Sequence, residues 1–422
     1  MSIRPRLSSM LFWSLILSTA AIRALSQQPA ATGSPLVIIV DDKYGVIDRT
    51  GKVIVPPQFR LILDFVGGMA RVELGDHWTY ISEAGVLMNR TFDEPERVME
   101  KADFYNFSEG LAVTRVGGAE HVHPEGFSEL VGGKYGFIDK TGKVVIPVTF
   151  DHAARFSGGL AAVMKGTKWG FIDKTGQFAI PAIYDRAENV VDGVAFVYLH
   201  DKWGLIDAKG KTILPPTFDQ IRDFHDGLAQ VRLAGKDGFI DVRGHTVIEL
   251  KYDDDQVGSF SNGRAWVGVG TDYHSLKFGY IDTTGAMVIP AKFDAAADFS
   301  DGLAAVEINR QWGYIDPTGA NVITPRFGEA NQFSEGLAAV TEGLVPVGMY
   351  TPAPYGYIDH TGKMVIVPQF DSRHSGFGLF KDGFAQVFQQ TSRVEFGYID
   401  RTGKFIWPFR SAGKTPSWVP VK

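Results

Sequence analysis

A five-residue motif that occurs ten times constrains the fold of this chain more than any other feature. One clear copy reads Trp169-Gly170-Phe171-Ile172-Asp173. The isoleucine is kept in all ten copies, whereas the glycine is lost only at Thr79 and the aspartate only at Ser82. Such a chain is expected to fold as a tandem array, in which each unit buries its apolar faces against its neighbours. Units 1 to 10 take their numbers from the first motif residue, in the order Tyr44, Trp78, Tyr135, Trp169, Trp203, Asp237, Phe278, Trp312, Tyr355 and Phe396.

The spacing of the copies separates a regular unit from its insertions. The base period is 34 residues, which is the step from Asp139 to Asp173 and from Asp173 to Asp207. Units measure about 34 to 43 residues, with one of about 57. The extra residues fall mainly between a Gly-Leu-Ala element and the motif aromatic, at 117–133, at 341–354 and before Phe278. Because these inserts occupy the same loop in different units, they should emerge along one rim of the array.

Each unit is predicted to contain three short antiparallel strands, so the fold class is all-β. The strands correspond to the patterns Leu-Ala-Ala-Val, Trp-Gly-Phe-Ile-Asp and Lys-Val-Val-Ile-Pro, which are rich in β-branched and aromatic residues. The sequence Asp-Lys-Thr-Gly between the second and third strands is typical of a hairpin turn. There the aspartate can cap backbone N–H groups, and the glycine can adopt a positive φ.

The glycine beside the motif aromatic predicts close packing. Because Gly170 has no side chain, another backbone or a ring from a neighbouring unit can lie against it. The rings on the other face would then form a continuous aromatic seam between stacked units. Ten three-stranded units exceed the usual four to eight blades of a propeller, so we expect an open, curved β-superhelix. A closed, propeller-like ring is the alternative.

The N-terminus has the pattern of an export signal. Arg4 and Arg6 precede an apolar run from Met10 to Ile22, and small residues follow before position 27. The run is too short to span a bilayer, and no later apolar segment is long enough. We therefore expect a signal peptide at 1–26, a flexible leader at 27–35, ten repeats at 36–408 and a C-terminal cap or tail at 409–422. The mature protein would then be periplasmic, at the cell surface or secreted, without a transmembrane segment.

The repeated motif resembles the WG repeat family of bacterial proteins, which is named for the Trp-Gly seen here at Trp169-Gly170. The resemblance covers about residues 36 to 408 and rests on the ten ordered copies. It implies β-strand repeats in an exported or surface protein, and it implies little about molecular function. The chain departs from the family pattern at Trp78 to Ser82, and at Asp237, where the motif aromatic is missing.

The composition excludes several classes of function. The chain contains no cysteine, so disulfides, thiolate metal sites and cysteine nucleophiles are absent. A net charge of −6 argues against a protein that holds nucleic acid through its phosphates. No phosphate-binding loop, serine-hydrolase elbow or zinc-protease motif occurs in a suitable setting. We expect no cofactor, no resident metal and no enzymatic activity.

The candidate binding residues lie in the inserts and in the motif aromatics. The first insert contains His121, His123 and Glu125, a spacing that could hold a metal but is interpreted as a solvated loop. The other inserts contain Tyr273, His274 and Tyr350. Motif indoles suit the apolar faces of sugar rings, although packing between units is the simpler interpretation; these are Trp78, Trp169, Trp203 and Trp312. The nine motif aspartates are interpreted as turn caps, because an active site needs one constellation of differently tuned groups.

Together these observations predict a non-enzymatic scaffold outside the cytoplasm. Its partner would be an envelope polysaccharide, peptidoglycan or another protein, and its specificity would come from the inserts along one rim. A hydrolytic or metal-dependent enzyme with a site in an insert or groove is one alternative. A passive structural protein is the other.

Overall fold

The computed structural model describes residues 33–75, 77–91, 105–122, 128–253, 256–270, 275–343, 353–371, 378–390 and 394–409. The predicted export signal, most of the leader and the tail beyond Phe409 lie outside these residues. Within them the regular structure is β throughout, with no α-helix. This part of the chain also contains no helix that is long and apolar enough to cross a membrane.

The strands follow the repeat closely. Units 1 to 3 contain β1 (Leu36–Val40), β2 (Lys43–Ile47), β3 (Val53–Phe59), β4 (Leu61–Ile62), β5 (Met69–Leu74), β6 (His77–Ser82), β7 (Leu111–Val116), β8 (Ala119–Val122), β9 (Ser128–Val131), β10 (Lys134–Asp139) and β11 (Val144–Phe150). Units 4 to 6 contain β12 (His152–Ala153), β13 (Ala161–Lys165), β14 (Lys168–Ile172), β15 (Phe178–Tyr184), β16 (Arg186–Ala187), β17 (Val194–Leu199), β18 (Lys202–Asp207), β19 (Thr212–Phe218), β20 (Gln220–His225), β21 (Leu228–Leu233), β22 (Lys236–Asp241) and β23 (Thr246–Tyr252). Units 7 to 10 contain β24 (Arg264–Val269), β25 (Lys277–Asp282), β26 (Met287–Phe293), β27 (Ala295–Ala296), β28 (Ala304–Ile308), β29 (Gln311–Ile315), β30 (Asn321–Ala330), β31 (Leu337–Glu342), β32 (Tyr355–Asp359), β33 (Met364–Phe370), β34 (Phe384–Gln390), β35 (Val394–Asp400) and β36 (Phe405–Trp407).

Units 4, 5 and 6 each form a four-stranded antiparallel sheet, one strand more than the sequence predicts, and units 8 and 9 share a sheet of seven strands. In unit 4 the predicted strands are β13, β14 and β15, and they pair in that order. A short strand, β12, pairs with the free side of β13 and makes the sheet four-stranded. Units 2, 5, 6 and 8 have the same kind of short strand, in β4, β16, β20 and β27. The prediction of three strands was therefore incomplete, because four of these five extra strands have only two residues and are too short to leave a pattern.

The motif glycine is required by a bulge in the third strand. Trp169 pairs with Tyr184, but Phe171 pairs with Ile180, so the third strand carries two extra residues opposite Gly170. A Cβ atom on Gly170 would lie 2.6 Å from the carbonyl oxygen of Ile180 and 2.6 Å from the amide nitrogen of Ala182. The predicted close approach is confirmed, and the approaching backbone belongs to the same unit.

The two faces of each sheet are covered by the two neighbouring units. Phe171 packs with Ala195 and Val197 of unit 5 in one apolar cluster. Ile172 points the other way and packs with Phe137 and other residues of unit 3. Alternation along one strand therefore divides the motif between two interfaces, and the core is a series of layers between units.

The aromatic seam between units uses a different ring from the one predicted. The third motif residue packs edge to face against the phenylalanine that precedes the next unit's Ser-Asp-Gly turn. Phe137 meets Phe156 at 4.8 Å between ring centroids, and Tyr280 meets Phe299 at 5.1 Å. The tyrosines also donate a hydrogen bond across the interface, as from the Tyr280 hydroxyl to the Ala297 carbonyl at 2.8 Å.

Unit 2 departs from this plan where the motif is degraded. Its sheet is ordered β4, β5, β6, and up to Thr91, where the described stretch ends, the third strand is represented by an isolated bridge between Ile81 and Leu87. Thr79 stands where the other units have glycine, and its hydroxyl donates to the carbonyls of Met88 and Arg90. Here the space that glycine preserves elsewhere is filled by a side chain whose hydroxyl lies within hydrogen-bond distance of two carbonyls, with the Arg90 carbonyl the nearer at 2.7 Å.

The first and last units contact each other. Trp407 of unit 10 packs with Ile38 and Ile47 of unit 1 in one buried cluster. The Arg49 guanidinium of unit 1 donates to the Asp382 carbonyl at 2.7 Å and pairs with the Asp382 carboxylate at 3.2 Å. Residues near the two ends of the described chain therefore lie side by side.

Candidate functional site

The inserts share one end of the units, as the sequence predicts. The hairpin between the first and second strands of a unit carries each insert, and the Asp-x-Thr-Gly turn lies at the opposite end of the same strands. The insert at 117–133 forms its own two-stranded sheet of β8 and β9. It is therefore a β-hairpin rather than the loop that we expected.

Most of the predicted insert residues lie outside the described residues. They are His123, Glu125, Tyr273, His274 and Tyr350. His121 lies in β8, where its Cα pairs with that of Glu129. Among the described residues, no group of three histidines or carboxylates is arranged to hold a metal ion.

Four predicted tryptophans are placed within the packing between units. Trp78 is 9% exposed and belongs to a buried cluster with Tyr80 and Phe107. The other three are half-buried at the insert end of their strands and pack against the edges of such clusters; they are Trp169, Trp203 and Trp312. Packing is therefore one role of these rings, and the other three remain partly exposed at the insert end of the units.

One half-buried indole belongs to a stack of planar groups at the base of the first insert. The Arg115 guanidinium lies 5.4 Å from the Tyr135 ring, and it donates a hydrogen bond to the Gly132 carbonyl of the insert. The His152 ring follows at 4.9 Å from Tyr135 and 5.1 Å from Trp169. The insert is thus anchored to an aromatic row that crosses from unit 3 to unit 4.

Carboxylates connect several units to the next unit at the insert end. Asp151, which follows the third strand of unit 3, pairs with Lys134 and accepts the Gly166 N–H of unit 4 at 2.7 Å. Asp219 and Asp294 make the equivalent contacts with Ala234 and Asn309, at 2.8 and 2.7 Å. The end of the units from which the inserts project is therefore stabilised by hydrogen bonds between units.

The motif aspartates cap the hairpin turns, as predicted. The Asp139 carboxylate accepts the N–H groups of Thr141 and Lys143 at 2.9 and 3.1 Å, and the Thr141 hydroxyl at 2.6 Å. The same backbone bonds recur at all nine positions: Asp48, Asp139, Asp173, Asp207, Asp241, Asp282, Asp316, Asp359 and Asp400. At Asp139 and Asp316 the threonine hydroxyl is the largest influence that lowers the carboxyl pKa, and backbone N–H groups lower it further.

These caps predict a loss of stability in acid. Because the folded pKa lies below the unfolded value of 3.8, the contribution is complete above about pH 5 and is lost as pH falls through the folded pKa. Changing Asp139, Asp316 and Asp359 together to asparagine keeps an acceptor but removes the titration. We expect urea midpoints between pH 6 and pH 3 to fall less for this variant than for the unmodified protein. Equal falls would contradict the assignment, and Asp192→Asn, an exposed aspartate outside the caps, is the control.

A second series of carboxylates joins the Ser-Asp-Gly turns of successive units. The side chains of Asp226, Asp301 and Glu335 accept the N–H groups of Gly263, Gly336 and Gly383 at 2.7 to 2.8 Å. Serines in the same turns donate to the next unit; Ser300, for example, donates to the Phe333 carbonyl at 2.7 Å. We did not predict this series, although the acid that recurs before Gly-Leu-Ala carries the signal.

Unit 6 replaces its motif aromatic with a buried ion pair. Asp237 is 1% exposed and receives two hydrogen bonds from the Arg232 guanidinium, at 2.7 and 2.8 Å. The Gln230 amide donates a third bond at 3.0 Å. The sequence indicated only that an aromatic was missing, because the partners lie on the neighbouring strand, five and seven residues away.

One pair of acids has an unusual environment. Glu188 of unit 5 and Asp223 of unit 6 both retain solvent contact. Surrounding protein and the charge of Asp223 raise the pKa of Glu188 to about 7. A raised carboxyl pKa is common in acid–base sites, but two carboxylates without a positioned reacting group do not define a reaction.

The repeated antiparallel sheets and the contacts between units define a tandem all-β repeat protein. Eight stretches match the family model described as "WG containing repeat", at 44–78, 135–169, 169–203, 203–236, 238–270, 278–311, 312–343 and 355–389. Because these stretches span more than half of the sequence, the chain belongs to the WG repeat family. No curated protein matches it.

Several solved structures resemble this fold at low identity. A eukaryotic initiation factor is 12% identical, with a TM-score of 0.45 over 79% of this chain and 95% of its own. Apo AztD from Citrobacter koseri is 11% identical, with a TM-score of 0.32 over 90% and 94% of the two chains. PorZ, a surface component of the type-IX secretion system of Porphyromonas gingivalis, is 11% identical; its TM-score is 0.25, over 91% of this chain and 54% of PorZ. At these scores the likeness carries no argument about function.

Proposed function

We propose that this protein is an exported, non-catalytic binding scaffold that presents its inserts from one end of a closed ring of ten WG units. The charged N-terminus followed by a short apolar run supports export. The ligand class that we propose is an envelope glycan, with peptidoglycan as the first candidate. Sugar rings suit the partly exposed indoles at the end of the units from which the inserts project.

Ring closure is supported by the repeated packing of the Asp-x-Thr-Gly turns. The turn glycine of each unit lies against the third strand of the preceding unit, as Gly176 lies against Ile146 and Gly319 against Ile289. Gly51 of unit 1 has the same kind of contact with Ile406 of unit 10. The contact between units 10 and 1 therefore resembles the contact between most successive units, which is expected of a ring and not of an open array.

The proposal of a binding scaffold rests on a difference in role: the carboxylates hold the repeats together, and the inserts are left to bind a ligand. All nine motif aspartates are engaged in turn caps, and a second series of acids fastens the turns together. Both series of carboxylates therefore have structural roles. The inserts interrupt an otherwise uniform rim, and loops on a rigid framework are where binding specificity is usually found.

The aromatic row beneath the first insert supports a glycan as the ligand. The row of Arg115, Tyr135, His152 and Trp169 ends in a half-buried indole at the rim. A sugar ring that stacked on this indole would also meet the insert that Arg115 anchors. Planar rings and polar loops together are suited to the apolar faces and hydroxyl groups of a pyranose.

Sedimentation with insoluble peptidoglycan tests this function. Purified protein from residue 27 onward is compared with a variant in which residues 118–132 are deleted. We expect saturable co-sedimentation of the unmodified protein and its loss in the deletion variant, with an unchanged circular dichroism spectrum. Lys209→Ala, at the opposite end of the units, is the matched control and should bind normally. Equal binding by the deletion variant would refute the role of the insert.

A further inference from the structure

Unit 5 has a row of three large side chains at the insert end of its sheet. The row consists of Arg186, Tyr198 and Trp203, because Tyr198 pairs with Arg186 on one side and with Trp203 on the other. Directly opposite residues of antiparallel strands place their side chains on one face of the sheet. This face is turned towards unit 6, since Trp203 packs against a cluster that includes Val231.

The three side chains of the row contact one another. The Arg186 guanidinium lies 5.5 Å from the centroid of the Tyr198 ring. The Tyr198 and Trp203 ring centroids lie 5.1 Å apart, with an angle of 55° between the ring planes. The Tyr198 hydroxyl lies 3.4 Å from a carboxylate oxygen of Asp201. Because these contacts already hold the groups in one arrangement, a ligand that bound them would cost little side-chain entropy.

The row is partly open to solvent. Tyr198 and Trp203 are half-buried, and Arg186 is exposed. The hairpin of unit 5 turns at His200 and Asp201, whose φ angles are 53° and 61°, so this hairpin carries no insert. Units 4 and 6 have equally short turns between the same two strands. The row is therefore not covered by an insert of its own unit or of either neighbouring unit.

The row supplies a cation that is available to a ligand. The Arg186 guanidinium contacts the Tyr198 ring and forms no ion pair with a carboxylate of the described residues. The adjacent Asp185 pairs with Lys168 instead. A guanidinium presents parallel N–H groups that match the two oxygens of a carboxylate. The row thus combines an anion-binding group with two aromatic rings.

The equivalent row of unit 8 shows that packing does not require this combination. That row consists of Ala295, Glu307 and Trp312, so it has a carboxylate where unit 5 has a ring, and it has no cation. Both indoles are half-buried and pack against the edge of an apolar cluster between units. Packing therefore explains the indole, and it does not explain an exposed Arg186 beside the Tyr198 ring.

We propose that Arg186, Tyr198 and Trp203 form a subsite for a sugar that carries a carboxylate group. The apolar face of the sugar ring would stack on the aromatic rings, and the guanidinium would bind the carboxylate. Asp201 would accept a hydrogen bond from a sugar hydroxyl. Such a sugar is a uronic acid of an acidic polysaccharide or a muramic acid of peptidoglycan. The subsite rests on the proposed glycan-binding function and extends it to a second place on the rim.

Titration of the purified protein with trigalacturonic acid, followed by saturation-transfer NMR, tests the subsite. The matched probe is the methyl ester of the same trisaccharide, which keeps the sugar rings and lacks the charges. We expect the acid to bind more tightly than the ester. Arg186→Gln should weaken binding of the acid by about tenfold and leave binding of the ester unchanged. Arg243→Gln removes an exposed charge at the opposite end of the units and is the control, which should bind the acid normally.

A second pair of variants separates stacking from packing. Trp203→Leu and Trp312→Leu should lower the urea midpoint to a similar extent, because both indoles pack between units. Only Trp203→Leu should weaken binding of the acid and of the ester. A disaccharide of N-acetylglucosamine and N-acetylmuramic acid identifies the source of the carboxylate. Tighter binding of this disaccharide than of trigalacturonic acid would indicate peptidoglycan, and the reverse order would indicate an acidic polysaccharide.

Three results would overturn the subsite: no binding of either trisaccharide, equal affinity for the acid and the ester, or normal binding of the acid by Arg186→Gln. The proposed function would survive each of them if the protein still sedimented with peptidoglycan through the insert at 117–133. Conversely, carboxylate-dependent binding at unit 5 without sedimentation would refute the role of that insert and support the subsite.

Discussion

Replacement of Asp237 by alanine is expected to destabilise unit 6 by about 3–5 kcal/mol, because it leaves the Arg232 guanidinium largely buried without its counter-charge. The Arg232 side chain is 14% exposed and Asp237 is 1% exposed, so little water is available to replace the lost bonds. Gln230 also loses the hydrogen bond that its side-chain amide donates to Asp237. The midpoint of urea unfolding, followed by circular dichroism, measures the effect.

A matched variant separates loss of the pair from loss of the charge. Asp237→Trp combined with Arg232→Met and Gln230→Ala restores the residue types that other units use at these places. Exchange of a buried ion pair for apolar residues of similar volume is often neutral or stabilising. We therefore expect the triple variant to unfold at a urea concentration near that of the unmodified protein. Equal destabilisation of both variants would show that unit 6 depends on the ion pair itself.

Replacement of Gly170 by alanine is expected to cost about 3 kcal/mol, the upper part of the range for overpacking. The new Cβ would meet main-chain atoms of Ile180 and Ala182 at 2.6 Å, and a bulged strand cannot move away as a flexible side chain can. Differential scanning calorimetry should show an earlier transition.

Gly159→Ala in the same unit is the control for this prediction. No atom lies within 4 Å of its added Cβ, but its φ of +79° makes alanine unfavourable by about 1–2 kcal/mol. The two variants therefore distinguish collision with the backbone from an unfavourable backbone angle. A smaller effect at Gly170 than at Gly159 would contradict the collision.

The parts of the fold that could be predicted from sequence are those that depend on local pattern. Alternation along Trp169 to Asp173 and the turn residues after Asp139 indicated strands, hairpins and caps. The two-residue strand at His152 escaped prediction because its pairing is set by the neighbouring strand and not by its own residues. The contact of Arg49 with Asp382 escaped for a related reason. It joins residues 333 positions apart, and no local pattern records that two ends will meet.

The candidate site was predictable in position but not in detail. Counting residues between Leu111 and Tyr135 located the first insert at the correct end of the units. The seam proved to depend on the third motif residue, such as Tyr280 or Phe137, since side chains alternate and two rings share one face. Nothing in a single copy of the motif indicates which of those rings meets the next unit.

The third strands are the edge strands of most sheets, and edge strands determine whether copies of a protein pair with one another in a crowded compartment. Several carry half-exposed apolar residues, including Val145, Val322 and Val365 at 41–43% exposure. Edge strands with unpaired N–H groups can form hydrogen bonds with strands of other molecules, and such pairing leads to fibres. Proline interrupts seven of the third strands, at Pro56, Pro147, Pro181, Pro215, Pro290, Pro325 and Pro368. Because proline has no N–H to donate, each of these edge strands pairs poorly with a strand of another molecule. The fold can therefore have many edge strands without aggregation through them.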